Sequence, residues 1–203
     1  MLSDVFKGIA KDGNGIFRDK GSKFIGFART LNHEDELKSI LHEIKKLHPS
    51  ARHFCYAYRI NPHQERWRAN DDGEPASSAG RPIYNQIRSA ELFNTIVVVV
   101  RYFGGTLLGI PGLIQAYGEA AKLALEDASS SLKTIVVPLK VKCPYSNSGE
   151  LMQRLKVLRV EFRTYSEAQF FGVEAAVPLS AADSFTTDCI SKGWIVESLQ
   201  KQS

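Results

Sequence analysis

Asp71, Asp72 and Glu74 crowd three carboxylates into the segment Asn70-Asp71-Asp72-Gly73-Glu74-Pro75, and a hard cation such as Mg²⁺ favours ligands of that kind. The EF-hand spacing is absent and no H-E-x-x-H partner occurs, so the residues favour a solvated Asp-Gly turn held by an arginine. A metal-assisted hydrolase acting on a small phosphorylated or peptide substrate is the alternative reading of this loop. Arg101 ends the run Val97-Val98-Val99-Val100, and a strand there would deliver its guanidinium to the sheet margin. With Arg52 and Arg81 it is a candidate clamp for phosphate or carboxylate. A salt bridge from Arg101 to Asp71, Asp72 or Glu74 is an equally good reading, and the two are not exclusive.

Gly104, Gly105 and Gly109 follow Arg101 and precede a helix, with Pro111 suited to its first turn. A strand, a glycine turn and a helix start can present backbone N–H groups to an anion. The G-x-x-x-x-G-K-[ST] pattern is missing, so a Walker-type nucleotide site is not expected; the glycines can equally serve only to turn the chain. No residue is assigned to catalysis. His53 and Cys55 lie two apart on a strand without the orientation for proton transfer, and Ser77 and Ser78 lack a nucleophile-elbow context. No metal site and no cofactor is expected.

Composition is that of an ordinary soluble domain, 43% hydrophobic and 24% charged over 203 residues. Its longest apolar run, Ile96 to Val100, falls far short of the roughly 20 residues that cross a bilayer. Met1 to Ala10 has no signal-peptide apolar region, and Cys55, Cys143 and Cys189 are few and widely spaced. These features predict a cytoplasmic protein without a disulfide framework and without membrane contact. The net charge of +4 is too small to demand nucleic acid, although it permits a local patch. Between Lys46 and Lys122 every basic residue is arginine: Arg52, Arg59, Arg66, Arg68, Arg81, Arg88 and Arg101. Guanidinium is the better group for two-pronged recognition of oxyanions, and internal pairing with the acidic residues of the same stretch is the competing use.

Gly15 to Arg29 reads as two strands around Asp19-Lys20-Gly21, with the core face undecided. A helix follows, capped by Asn32, with Leu37, Ile40, Leu41, Ile44 and Leu47 as its apolar stripe. His53 to Ile60 is a strand, and Asn61 to Pro82 is a long irregular loop of the kind that is functional or mobile. Ile83 to Leu92 is a short helix, Thr95 to Tyr102 a buried strand, and Leu113, Ile114, Tyr117, Ala121, Ala124, Leu125 and Ala128 the buried side of a long helix. Ser129-Ser130-Ser131 is a polar seam and the candidate boundary between domains 1–131 and 132–203. Beyond it, Pro138 marks the strand Thr134 to Cys143 as an edge. The order βαββαβ is the ferredoxin-like plan, so the fold class is α+β with two domains.

Asn70 to Pro82, Val97 to Gly109 and Gln115-Ala116-Tyr117 together resemble the signature segments of the Impact/YigZ family: an acidic D-D-G-E-P loop, a small-residue run ending in G-R-P, a valine strand leading into R-Y-F-G-G, and an A-Y helix. Lys23-Phe24-Ile25 and Ala51-Arg52-His53 also stand where that family has basic-aromatic and A-x-H positions. Ala76-Ser77-Ser78 and Ile110-Pro111-Gly112 depart from the usual runs without removing a charge. The resemblance covers roughly Gly15 to Asp127. It implies a first domain like ribosomal protein S-five domain two, also seen in elongation factor G domain four, and a ferredoxin-like second domain like the last domain of that factor. It also implies a link to translation, with RNA, the ribosome or a translation-associated protein as partner, as in eukaryotic relatives that restrain a starvation-responsive kinase. The expected anion or RNA contacts are then Lys23, Arg52, Arg81, Arg101, Gly104, Gly105 and Gly109, beside the acidic loop of Asp71, Asp72 and Glu74.

Overall fold

A computed structural model describes residues 4–199. They form two compact units, one of residues 6–133 and one of residues 134–199 with residues 4 and 5. The first unit is built on a five-stranded antiparallel sheet of β2 (Gly13–Asp19), β3 (Ser22–Thr30), β4 (His53–Ile60), β5 (Arg66–Asn70) and β6 (Thr95–Tyr102). The strand order is β2-β3-β6-β4-β5, which puts β6 at the centre and β5 at an edge. A short strand β1 (Val5–Ile9) pairs separately with β7 (Ser130–Thr134). Ser130 and Ser131 of the polar seam therefore lie in a strand.

Apolar residues run without interruption through β6 because both faces of the sheet are covered. Val97 and Val99 face α2 (Gly80–Ser89) and α3 (Gly109–Ala128), while Ile96, Val98 and Val100 face α1 (Leu37–Leu47). The α3 side explains the undecided face of the first hairpin. At Gly26 an added Cβ would come within 2.3 Å of the Ala120 carbonyl oxygen, so the alanine-lined helix lies directly on the strand backbone. On the opposite side α1 packs with Ile44 buried, yet Leu47 stays exposed. Asn32 does not cap that helix; its backbone N–H donates to Glu36, and its side chain accepts from Asn94. The long loop after β4 is also shorter than its composition suggests. Arg66–Asn70 folds back on β4 as a hairpin, because exposed arginines at an edge strand leave no apolar alternation to read.

In the second unit, β8 (Val136–Pro144), α4 (Ser148–Val157), β9 (Phe162–Glu167), β10 (Phe170–Pro178), α5 (Leu179–Ser191) and β11 (Ile195–Ser198) follow in that order. The antiparallel sheet runs β11-β8-β10-β9, so the strand holding Pro138 is central and not an edge. The proline is tolerated because its carbonyl accepts from Leu199, at the end of the β11 ladder. Its missing N–H falls on that same side, opposite Leu199 and one residue past the end of β11, so the bond it forfeits is at the end of the ladder and not within it. One sheet face buries Leu139, Val141 and Val173 against Leu151, Leu155 and Phe185 of the two helices. Asp4 contributes to this unit by accepting the Ser180 N–H in the first turn of α5.

Candidate functional site

The acidic loop is bound back onto the first unit, one carboxylate at a time. Asp71 accepts N–H bonds from Ala79 at 3.0 Å and Gly80 at 2.8 Å on one oxygen and from Ser77 at 2.9 Å on the other. It thereby satisfies orphan donors at the start of α2 and sets a negative charge where the helix dipole favours one. Asp72 accepts the Phe54 N–H at 2.7 Å, and its carbonyl is 2.9 Å from His53 Nδ1. Glu74 turns inward, where one oxygen meets Arg101 at 2.6 Å and the Tyr117 hydroxyl at 2.7 Å. The side chains of Arg101 and Glu74 are only 8% and 4% exposed. Phe24 meets the Tyr117 ring edge-on at 5.1 Å and lies 5.5 Å below the Arg101 guanidinium. Each carboxylate thus serves a different set of protein donors. Among the described residues, no group of three or more His, Cys, Asp or Glu side chains is arranged to hold a metal ion.

The same network accounts for His53 and Cys55. The Cys55 thiol donates to the Asp71 carbonyl at 3.0 Å, and burial pushes it well above the ordinary thiol range, with Glu74, Asp72 and Asp71 adding to the rise. Burial likewise raises the Tyr117 phenol far above its usual range. Both groups stay protonated at neutral pH, as hydrogen-bond donors and not as nucleophiles. His48 completes the far side: its Nδ1 is 2.9 Å from the Tyr102 hydroxyl, and burial followed by the Lys23 charge holds its pKa below the ordinary histidine value.

The three arginines of the candidate clamp have different surroundings. Arg101 is buried on Glu74, whereas Arg52 is exposed just before β4. Arg81, exposed in the first turn of α2, lies over the rings of Trp67 and Tyr84 at 5.2 and 5.4 Å. Lys23 is half-buried on β3 opposite Tyr102, at the same end of the sheet as Arg52, since His53 faces Arg101. The glycine turn also divides. A Cβ on Gly104 would fall 1.9 Å from the backbone of Gly21, and its N–H donates to the buried Ser22 hydroxyl, so Gly104 is required for packing. Gly105, with φ +86°, and Gly109, with φ +72°, are exposed and open. Ile114, expected inside, is exposed, as are Phe103, Leu107 and Ile110, and Leu107 is 83% exposed.

A family model described as the Impact N-terminal domain matches residues 20–125. The chain belongs to the Impact family. A protein named IMPACT family member from Haemophilus influenzae is 33% identical over 144 residues, 70% of each chain. The IMPACT family member YvyE of Bacillus subtilis is 33% identical over 157 residues, 72% of each. A crystal structure described as that of a hypothetical protein superposes with a TM-score of 0.68 at 26% identity, covering 99% of this chain and 100% of the other. In this Impact-family chain the acidic loop, the R-Y-F-G-G segment and the A-Y helix meet in one buried cluster through Glu74, Arg101 and Tyr117. Composition shows the charges but not that cluster: Glu74 and Tyr117 are 43 residues apart in sequence. Trp67 and Tyr84, which hold Arg81, carry no spacing signal either.

Proposed function

We propose that this chain is a non-catalytic regulatory protein linked to translation, which contacts RNA or the ribosome through exposed cations of its first unit. The observation that carries this reading is the fate of the chemistry-bearing side chains. Asp71, Asp72, Glu74, Cys55 and Tyr117 are all engaged in internal bonds, whereas Lys23, Arg52, Arg81 and the open turn at Gly105 and Gly109 face outward or sit at the margin. Arg101 then pins the acidic loop through Glu74 and is not a ligand group. The separate engagement of the three carboxylates supports this reading over a metal-assisted hydrolase. The order β11-β8-β10-β9 supports a ferredoxin-like second domain, and the family resemblance supports a first domain like ribosomal protein S-five domain two. Among the described residues no helix is long and apolar enough to cross a membrane, which is compatible with a cytoplasmic site of action.

Filter binding to ribosomal RNA at low and high salt tests the proposal. Phosphate contact predicts a log–log decline of affinity with salt, and Lys23→Ala or Arg52→Ala should each reduce the slope by about one. Binding that ignores salt, or no binding at all, would reject it. A second reading has its own observation: Phe103, Leu107, Ile110 and Ile114, in and just after the glycine-turn segment, are all exposed, and large apolar side chains left open in one stretch of chain suit a protein partner. Capture of a translation-associated protein from nuclease-treated lysate, abolished by Leu107→Glu, would favour that regulator role over RNA contact.

A further inference from the structure

Trp67 occupies an unusual place for an indole. It lies on β5, the strand with a neighbour on one side only, and it is 47% exposed. Beneath it the Tyr84 ring stacks at 4.5 Å between centroids with 29° between the planes. Tyr84 is itself buried, and its hydroxyl donates to Glu65 at 3.1 Å; Glu65 is held in turn by Arg59 at 2.8 Å. The indole is therefore seated on a fixed support, so little of its freedom remains to be lost when something lands on it. Its charged neighbours, Arg66 and Arg68 on the strand and Arg81 on the helix, are all exposed. Glu65, the carboxylate next to them in sequence, is already occupied by Arg59 and Tyr84.

Arginines alone would protect an edge strand from pairing with other chains. A half-exposed indole works against that purpose and needs another reason. Aromatic faces flanked by cations are what single-stranded nucleic acid uses: bases stack on the ring, and phosphates meet the guanidinium groups. The alternation along β5 puts Trp67 on the α2 side of the pleat, beside Arg81, and Arg66 and Arg68 on the other side, so an RNA strand crossing the open edge would meet the indole and Arg81 on one face and the two strand arginines on the other. We propose that the outer edge of β5 is a base-stacking site for unpaired RNA, with Trp67 as the platform and Arg66, Arg68 and Arg81 as its phosphate contacts. This rests on the polyanion reading above and adds to it a second contact area, since Trp67 pairs with Arg59 near the far end of β4 from His53.

The test uses the full chain and two probes, a twelve-residue oligouridylate and inorganic polyphosphate, which carries charge without bases. Trp194 is buried, so a change in tryptophan emission reports mainly on Trp67. The oligouridylate should quench that emission and polyphosphate should not. Trp67→Leu, which keeps an apolar cover on Tyr84, should weaken oligouridylate binding about tenfold by filter assay and leave polyphosphate binding unchanged. Trp67→Phe, checked like Trp67→Leu for an unaltered melting transition, should retain most of the affinity. Equal quenching by both probes, or unchanged oligouridylate affinity in Trp67→Leu, would overturn the stacking site while leaving the polyanion reading intact. Failure of the unaltered protein to bind either probe would overturn both.

Discussion

Two arginine–aromatic clusters in the first unit look alike in sequence and differ in what they can do. At one end of the sheet Arg101 lies between Phe24 and Phe103, but its charge is matched at 2.6 Å by a buried carboxylate. At the β5 edge Arg81 lies over Trp67 and Tyr84 with its own charge turned to solvent. Buried and matched, a guanidinium is committed to one partner, and its removal is costly. Exposed over a ring, it keeps its donors for something outside. Burial, and not residue type, separates a structural arginine from one available to a ligand.

Loss of the Glu74 side chain should have the largest effect. Glu74→Ala strands the Arg101 charge in a site that is nearly closed to water, and Nε of that arginine already has no hydrogen-bond partner among the described residues. The expected loss is about 3–5 kcal/mol, a large share of a typical domain's stability, read by urea denaturation. Cys55 gives a second readout from the same cluster. Its thiol should resist iodoacetamide in the native protein at neutral pH and become reactive in Glu74→Ala. If that variant melts like the parent, the charge pair is not what holds the loop.

Asp71→Ala should cost less, about 1–2 kcal/mol, because it frees three N–H donors of which some can turn to water. Asp71→Asn should recover part of the loss, since an amide oxygen still accepts from the start of α2. An equal loss in both variants would mean that charge at the helix start matters more than the hydrogen bonds. Chemical denaturation of the pair decides between these accounts.

The difference between the clusters also shows what could be read in advance. β4 and β6 stand where their apolar runs put them, because a strand buried on one or both faces writes its burial directly into residue type. β5 does not, since an edge strand with Arg66, Trp67 and Arg68 has neither alternation nor an apolar run. Pro138 sits in a central strand for a related reason: a missing N–H costs least at the last rung of a ladder, and where that rung falls depends on where the neighbouring strand ends. In the site, Arg101 and the acidic loop were visible as charges in one segment. Which of Asp71, Asp72 and Glu74 met the arginine was not visible, because the choice is made by Tyr117 and Phe24, brought in from α3 and β3 by the tertiary fold.

On the exposed side, Trp67→Leu should change stability by only about 1 kcal/mol, the worth of an aromatic pair with a cation–π contact near solvent. Thermal melts of Trp67→Leu and Glu74→Ala side by side therefore test the contrast between the two clusters directly. A large loss at Trp67 would make the indole a structural prop of α2 and erase the distinction.

The smallest effect expected is a pH dependence of the same platform. The hydrogen bond from Arg59, with help from Tyr84, holds the Glu65 carboxyl below its ordinary value of 4.5. A carboxylate whose pKa is depressed in the folded protein adds stability that is fully present above its unfolded value and is lost as pH falls through the folded one. Glu65 is partly exposed, so solvent screens much of that contribution and the global transition should scarcely move. Locally the consequence is specific. As Glu65 takes up its proton, it becomes a weaker acceptor for the Tyr84 hydroxyl, and the support beneath Trp67 loosens. The indole emission and its steady-state anisotropy should hold constant from neutral pH down to about 4.5 and change below it. In Glu65→Gln, which has no proton to gain there, that acid limb should be absent. A limb that persists in Glu65→Gln would place the titrating group elsewhere and leave the stack on Tyr84 independent of this carboxylate.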